Sequence, residues 1–180
     1  MAVFLAEGFE EAEAIVPIDI ARRAGIEVTT VSISEEIYVT GSHDIQIKAD
    51  EVLSAVDISA FDMLMLPGGM PGTVNLEASE ELKTALVSAK NDGKYLAAIC
   101  AAPRILGNLG LLENERATVY PGNESCLKGA KIDMAAKAVT SGRMITSRGM
   151  GCAVEFGHDI VAALAGEAKA AEVLKAIQYN

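Results

Sequence analysis

The residue types that could do chemistry gather in three places. Cys100 ends an apolar run, Lys94-Tyr95-Leu96-Ala97-Ala98-Ile99-Cys100, and Ala101-Ala102-Pro103 and a helix-like segment follow. A strand that turns sharply into a helix with one side chain at the corner is a nucleophile elbow, and its strained turn admits only small neighbours. The helix start sets free N–H groups and the positive end of the dipole beside the sulfur, which favours thiolate. Such a sulfur could attack an electrophile or be oxidised. Read alone, the same cysteine is a packed side chain at the end of a core strand, since free Cys is among the most buried residue types.

Glu13 stands between Ala12 and Ala14, ahead of Ile15-Val16. The pattern alone favours a solvated helix face, because acids are rarely buried unpaired; the other reading is a carboxyl held near a site. Pro67-Gly68-Gly69-Met70-Pro71-Gly72 follows another apolar run. Such a loop lets backbone N–H groups come close to a ligand, or is an ordinary strand-to-helix turn. It lacks the glycine spacings of the dinucleotide and phosphate loops. Cys152 reads as helix-face packing and Cys126 as an exposed thiol of no assigned role. With His43 and His158 far apart and no CxxC, no metal site is expected.

These groups must be positioned by the elements around them. Residues 1–6 are apolar throughout and suit a buried strand. A helix opens near Glu10-Glu11 and runs to about Ala24, with Arg22-Arg23 in its last turn and Gly25 after it. Pro17 inside it predicts a kink or a weak first segment. The alternating, β-branched stretch 26–33 is a second strand. Residues 37–40 and 44–48, about Gly41-Ser42-His43, form an antiparallel excursion at a sheet edge. Residues 62–66 are a core strand, and Ser79 caps a helix with Leu82 and Leu86 on one face. The elbow strand 95–99 leads to a helix from Pro103 to about 108–110.

Residues 117–120 read as a short strand. Residues 138–140 and 144–146 form a hairpin across Ser141-Gly142-Arg143. Helices at 152–165 and 168–177 close the chain. Strands alternating with helices predict an α/β fold, a mostly parallel sheet with helices on both faces. Sites in such sheets lie at the carboxyl ends of the strands, where the turns at 6–8, 67–69 and 99–101 all fall. Glu13, Gly68, Gly69 and Cys100 are then expected to converge.

A chain of 180 residues is expected to form one domain, 1–180, burying about 70% of its unfolded surface. The net charge of −10 and the absence of a basic run argue against nucleic acid and anionic membranes as partners. No apolar run is long enough to span a membrane. The N-terminus has no basic leader and reads as a strand rather than a signal peptide. Three cysteines without metal-type pairing suit a reduced, cytoplasmic protein.

The sequence resembles the ThiJ/PfpI superfamily, in its DJ-one and YajL-like branch, over nearly its whole length. The resemblance rests on Leu5-Ala6-Glu7-Gly8-Phe9-Glu10-Glu11-Ala12-Glu13, Pro17-Ile18-Asp19, Arg22-Arg23-Ala24-Gly25 and Leu66-Pro67-Gly68-Gly69. Ala97 to Pro103 and Thr146-Ser147-Arg148-Gly149 complete it. It implies a flavodoxin-like α/β sandwich and a homodimer. It makes Cys100 the reactive cysteine and Glu13 the acid that hydrogen-bonds to it. Gly68, Gly69 and Ala101 become the backbone donors beside the sulfur. Glu13 would stay protonated beside a thiolate, through burial and like-charge repulsion, and the pair would titrate as a unit.

Tyr120 stands where the branch carries a histidine before proline, Ala102 where it has glycine, and Met150 where it has proline. Tyrosine can donate a proton but is a poor base at pH 7. Tyr120 and Arg148 are auxiliary candidates, Arg148 either binding anions or holding its loop. His43, with Arg23, aligns roughly with an anion pocket of some relatives, though a surface histidine is the simpler reading.

Two functions follow from the resemblance. One is a cofactor-free glyoxalase or deglycase acting on small aldehydes, methylglyoxal or glyoxal, through Cys100 and Glu13. The other is a redox sensor or stress-protective chaperone in which an oxidant converts Cys100 to a sulfinate. Ala101, in place of a histidine after the cysteine, argues against a Cys-His peptidase.

Overall fold

The computed structural model describes residues 1–179. A seven-stranded sheet organises them. Its first strand in the chain is β1 (Ala2–Leu5), an interior strand where successive side chains point to opposite faces. Ala2 and Phe4 enter one apolar cluster, Val3 and Leu5 the other. A strand buried on both faces needs this unbroken apolar run, and it explains why residues 1–6 show no alternation.

The chain then forms α1 (Glu11–Arg23), β2 (Thr29–Ser32), the antiparallel pair β3 (Tyr38–Thr40) and β4 (Gln46–Lys48), and the edge strand β5 (Glu51–Val52). Two 3₁₀ turns lead to β6 (Met63–Leu66), α2 (Gly72–Ala78) and α3 (Glu80–Asn91). The elbow strand is β7 (Tyr95–Ile99), followed by α4 (Pro103–Asn108), β8 (Arg116–Ala117) and β9 (Lys131–Ile132). The hairpin β10 (Ala138–Ser141) and β11 (Met144–Ser147) precedes α5 (Ala153–Ala165) and α6 (Glu167–Ala176).

The sheet order is β10-β11-β7-β6-β1-β2-β5, parallel except for the β10–β11 hairpin. One face carries Leu82 and Leu86 of α3 and Leu106 of α4 against Phe4, Leu64 and Leu96. The other carries Ala14 and Ile18 of α1 and Phe156 and Ile160 of α5 against Val3, Met63 and Ala97. This is the flavodoxin-like arrangement expected, with β1, β6 and β7 side by side and their carboxyl ends at one edge.

Several boundaries differ from expectation for visible reasons. The helix α1 runs through Pro17 without a break, although proline offers no N–H to the Glu13 carbonyl. Only Thr29–Ser32 of the stretch 26–33 pairs with β1; Ile26 and Val28 instead pack against the α1 face of the core. The strand expected at 117–120 is the two-residue β8, parallel to β9. The Lys131 and Asp133 N–H groups donate to the Glu115 and Ala117 carbonyls on one side of β8, while the Thr118 N–H turns to the Thr146 hydroxyl at 2.9 Å. The helix α2 within the glycine-rich stretch was not expected, since it has no capping side chain. Among the described residues, no helix is long and apolar enough to cross a membrane.

Candidate active site

The elbow is strained as its sequence demands. Cys100 has φ +63°, the left-handed region that side chains other than glycine rarely occupy. Both peptide groups of the residue are tied down. The Cys100 N–H donates to the Ser147 carbonyl at 2.8 Å, and the Tyr120 N–H donates to the Cys100 carbonyl at 2.8 Å. The residue is half-buried, so its sulfur is not the core side chain that a lone cysteine suggests.

Glu13 faces this sulfur from the first turn of α1 and is 1% exposed, against the solvated face its local pattern favours. Glu10 sets the helix start, its carboxylate accepting the Glu13 N–H at 2.7 Å. Gly68 lies between the two reactive groups. A Cβ there would stand 2.5 Å from Glu13 Oε2 and 2.7 Å from the Cys100 Cβ, so any side chain would push acid and thiol apart. Gly69 has φ +91° and abuts the backbone of residues 8–10, which fixes the β6 loop against the β1 turn.

The expected backbone donors divide into two sets. The Gly68 N–H donates to Glu13 Oε2 at 3.0 Å, holding the acid rather than the sulfur. The Gly69 and Ala101 amides are the ones that face the sulfur. Met150, in the place of the usual proline, brings its own amide to Glu13.

Burial pushes the Glu13 carboxyl up to about 7; the Glu10 charge adds to the rise, and the Cys100 thiol and the Gly68 and Met150 amides oppose it. Burial and then the charge of Glu13 push the Cys100 thiol up to about 12, outweighing the Ala101 and Gly69 amides. The expectation that the helix start favours thiolate thus holds for the amides alone. With Glu13 ionised, the thiol keeps its proton. Two such groups in contact hold one negative charge between them near neutrality.

Above the sulfur opens a cleft of about 450 Å³. Tyr120 lines it, 52% exposed, its ring against Gly149. Met70, Arg104 and Asn123 also line it, and the sequence reading missed all three. Arg104 was the most findable, since it lies in the first turn of the helix that follows the elbow. Arg148 is not among the cleft residues; its Nη1 donates to the Met134 carbonyl at 3.0 Å, so it holds its loop. Arg23 is engaged with Asp19 at 2.6 Å and His43 with Glu11 at 2.9 Å. Cys152 is buried as expected, and Cys126 is half-buried rather than exposed.

Glu10, Glu11 and His43 each bring one potential ligand atom to within 4.8 Å of the others. Hydrogen bonds account for this cluster: the amides of His43 and Ile45 reach Glu11 Oε1, and Ser42 Oγ and the His43 ring reach Oε2.

Residues 1–163 match the DJ-1/PfpI family. The chain belongs to this family. It is 39% identical over 170 residues to DJ-1 homolog B of Arabidopsis thaliana, covering 94% of this chain and 39% of that protein. It therefore spans about two-fifths of that relative's length. Protein dj-1beta of Drosophila melanogaster is 39% identical over 181 residues, 99% of this chain and 97% of the relative. Its crystal structure superposes with a TM-score of 0.94 over 99% of this chain and 97% of the other, at 38% identity. A protein named as a deglycase, from Pyrococcus abyssi, is 34% identical over 149 residues, 81% of this chain and 87% of its own. Family membership accounts for the shared fold.

Proposed function

We propose that this DJ-1/PfpI protein converts small 2-oxoaldehydes to 2-hydroxy acids at Cys100, with Glu13 as the proton carrier. The observation that carries the reading is the buried Glu13 facing a half-buried elbow thiol across Gly68. The reactive form has the proton on Glu13 and the charge on sulfur. The carboxyl is then a donor to the thiolate instead of a charge that opposes it, and the Gly69 and Ala101 amides add to that support.

Sulfur adds to the aldehyde carbon, a C–S bond forms, and the carbonyl pair moves to oxygen, which takes the Glu13 proton. The Gly69 and Ala101 amides steady the developing charge. Glu13, now a carboxylate, removes the hydrogen of that carbon as a proton, leaving an enediolate shared with the neighbouring keto carbon. Glu13 gives that proton to the oxygen of the former keto carbon, takes the proton of the other oxygen, and delivers it to the former keto carbon, giving a 2-hydroxyacyl thioester. Water, deprotonated by Glu13, hydrolyses it and expels the thiolate. The aldehyde carbon is oxidised and the keto carbon reduced, so the sum is dicarbonyl plus water to hydroxy acid, with no cofactor or metal. Tyr120 is not required in these steps, because Glu13 carries every proton that a histidine would. The name of the Pyrococcus relative supports a deglycase variant of the same chemistry.

Incubation of purified protein with methylglyoxal should yield lactate. Cys100→Ser should abolish turnover, and Glu13→Gln should lower it by about 10²–10⁴-fold. No lactate, or an active Cys100→Ser, overturns the reading. A second reading, oxidation of Cys100 to a sulfinate, is favoured by the two amides that would receive its oxygens. Intact mass after peroxide separates the two: addition of two oxygens confined to Cys100, lost in Glu13→Leu, supports it. Three free thiols suit a reducing compartment such as the cytoplasm. A homodimer is proposed on the family resemblance and the exposed isoleucines of α1 and its covering loop.

A further inference from the structure

Arg104 lines the Cys100 cleft but has no task in the steps above. Its position is held firmly. Glu77 Oε2 accepts from Arg104 Nε at 3.0 Å and from Nη2 at 2.6 Å. Glu77 is in turn fixed by Asn108, whose Nδ2 donates to Oε1 at 2.7 Å. These bonds set the plane of the guanidinium and leave Nη1 without an acceptor among the described residues. Glu77 offsets the charge of Arg104 at long range, but it does not use up these N–H donors. A fixed guanidinium with spare donors is suited to a carboxylate, through a short charge-assisted bond.

The rest of the cleft leaves room beyond a three-carbon substrate. At about 450 Å³ it falls in the range that encloses much larger ligands. Its other walls include Met70, 55% exposed, and Tyr120, 52% exposed, a thioether and an aromatic face left open beside the sulfur. A ligand filling it would place a carbonyl at Cys100, an apolar body on Tyr120 and Met70, and an anionic oxygen at Arg104. The chain as a whole carries a net charge of −10, so an anion is repelled at a distance and needs this local cation to stay.

We propose that the cleft selects 2-oxoaldehydes whose apolar body ends in a carboxylate, with Arg104 as the specificity-determining residue. The proposal rests on the aldehyde reading of Cys100, and its test is built to fail separately from that reading. Binding is measured first, with compounds that lack the aldehyde: 4-acetylbenzoate and its neutral counterpart acetophenone. The carboxylated compound should bind about tenfold tighter to the intact protein. The difference should shrink between 50 and 500 mM salt on the order expected for a screened ion pair, and vanish in Arg104→Gln. Equal binding, or a preference that survives both salt and Arg104→Gln, overturns the proposal.

Turnover is measured second, with phenylglyoxal and 4-carboxyphenylglyoxal. The ratio of their kcat/KM values should favour the carboxylated compound by about tenfold and fall towards one in Arg104→Gln, mainly through KM. If neither aldehyde turns over while the binding difference stands, the aldehyde reading fails and the anion site remains. If both turn over equally in the intact protein, the anion site fails and the aldehyde reading remains. The salt series uses the unmodified chain, so the test survives a variant that does not fold.

Discussion

Glu13 keeps its proton to a higher pH than a carboxyl in water because its charge would be enclosed, and this links the site to stability. Its folded value is about 7 against an ordinary 4.5, so the folded chain binds the proton more tightly than the unfolded chain. That contribution is complete below about 4.5 and is lost as the pH rises through about 7. At about 1.4 kcal/mol per tenfold change in proton affinity, the swing is roughly 3 kcal/mol. Urea unfolding between pH 4.5 and 8 should show this decline in the natural chain, and Glu13→Gln should be flat by comparison. Parallel profiles for the two would mean that the carboxyl is not desolvated as described.

At the scale of elements, the site depends on a strap that contains no reactive residue. The β3–β4 pair and its loop lie over the turn between β1 and α1. The Gly8 N–H donates to the Thr40 carbonyl at 2.8 Å, and the Ser42 N–H to the Phe9 carbonyl at 2.8 Å. Glu11, 4% exposed, is the anchor. Burial alone would raise its carboxyl, but the His43 ring and the amides of Glu11, His43 and Ile45 outweigh burial and hold it down at about 2. The sign is opposite to that of Glu13: its stabilisation is present above about 4.5 and lost as the pH falls towards 2.

Gly41 makes room for this anchor, since a Cβ there would come within 2.6 Å of the Glu11 Cγ. Gly41→Ala should destabilise the fold by about 2 kcal/mol and flatten the acid limb between pH 2.5 and 5, as read by thermal unfolding. An unchanged acid limb would remove Glu11 from this role. Strap and anchor were only half legible. The antiparallel pair follows from its own residues, whereas the burial of Glu11 and Glu13 comes from segments far away in sequence. Gly68 covers Glu13 from 55 residues on. Local pattern cannot carry that information, so Glu13 looked solvated. The apolar runs of β1, β6 and β7 were legible because they are buried by neighbours of any identity. The helix α2 and the two-residue β5 and β9 are fixed by their surroundings and left no pattern to read, while the stretch 117–120 showed that a strand lies there but not its short length.

For the whole molecule, the parallel order β7-β6-β1 decides that three separate turns meet. The same edge carries exposed apolar residues that none of these strands uses. Ile15, 43% exposed, lies one helical turn beyond Glu11, and Ile45, 54% exposed, is in the loop that bonds to it. If this face joins two copies, sedimentation should give twice the chain mass, and Ile15→Glu should give the single-chain mass with the fold retained. A single-chain mass for the natural protein would end the dimer proposal. The elbow itself has a consequence for kinetics. The Cys100 peptide is fastened on one side by Ser147 and on the other by Tyr120. A backbone clamped at both ends has no hinge at the nucleophile, so the sulfur keeps one place relative to the Gly69 and Ala101 amides, and a ligand must bring its reactive carbon to that fixed point.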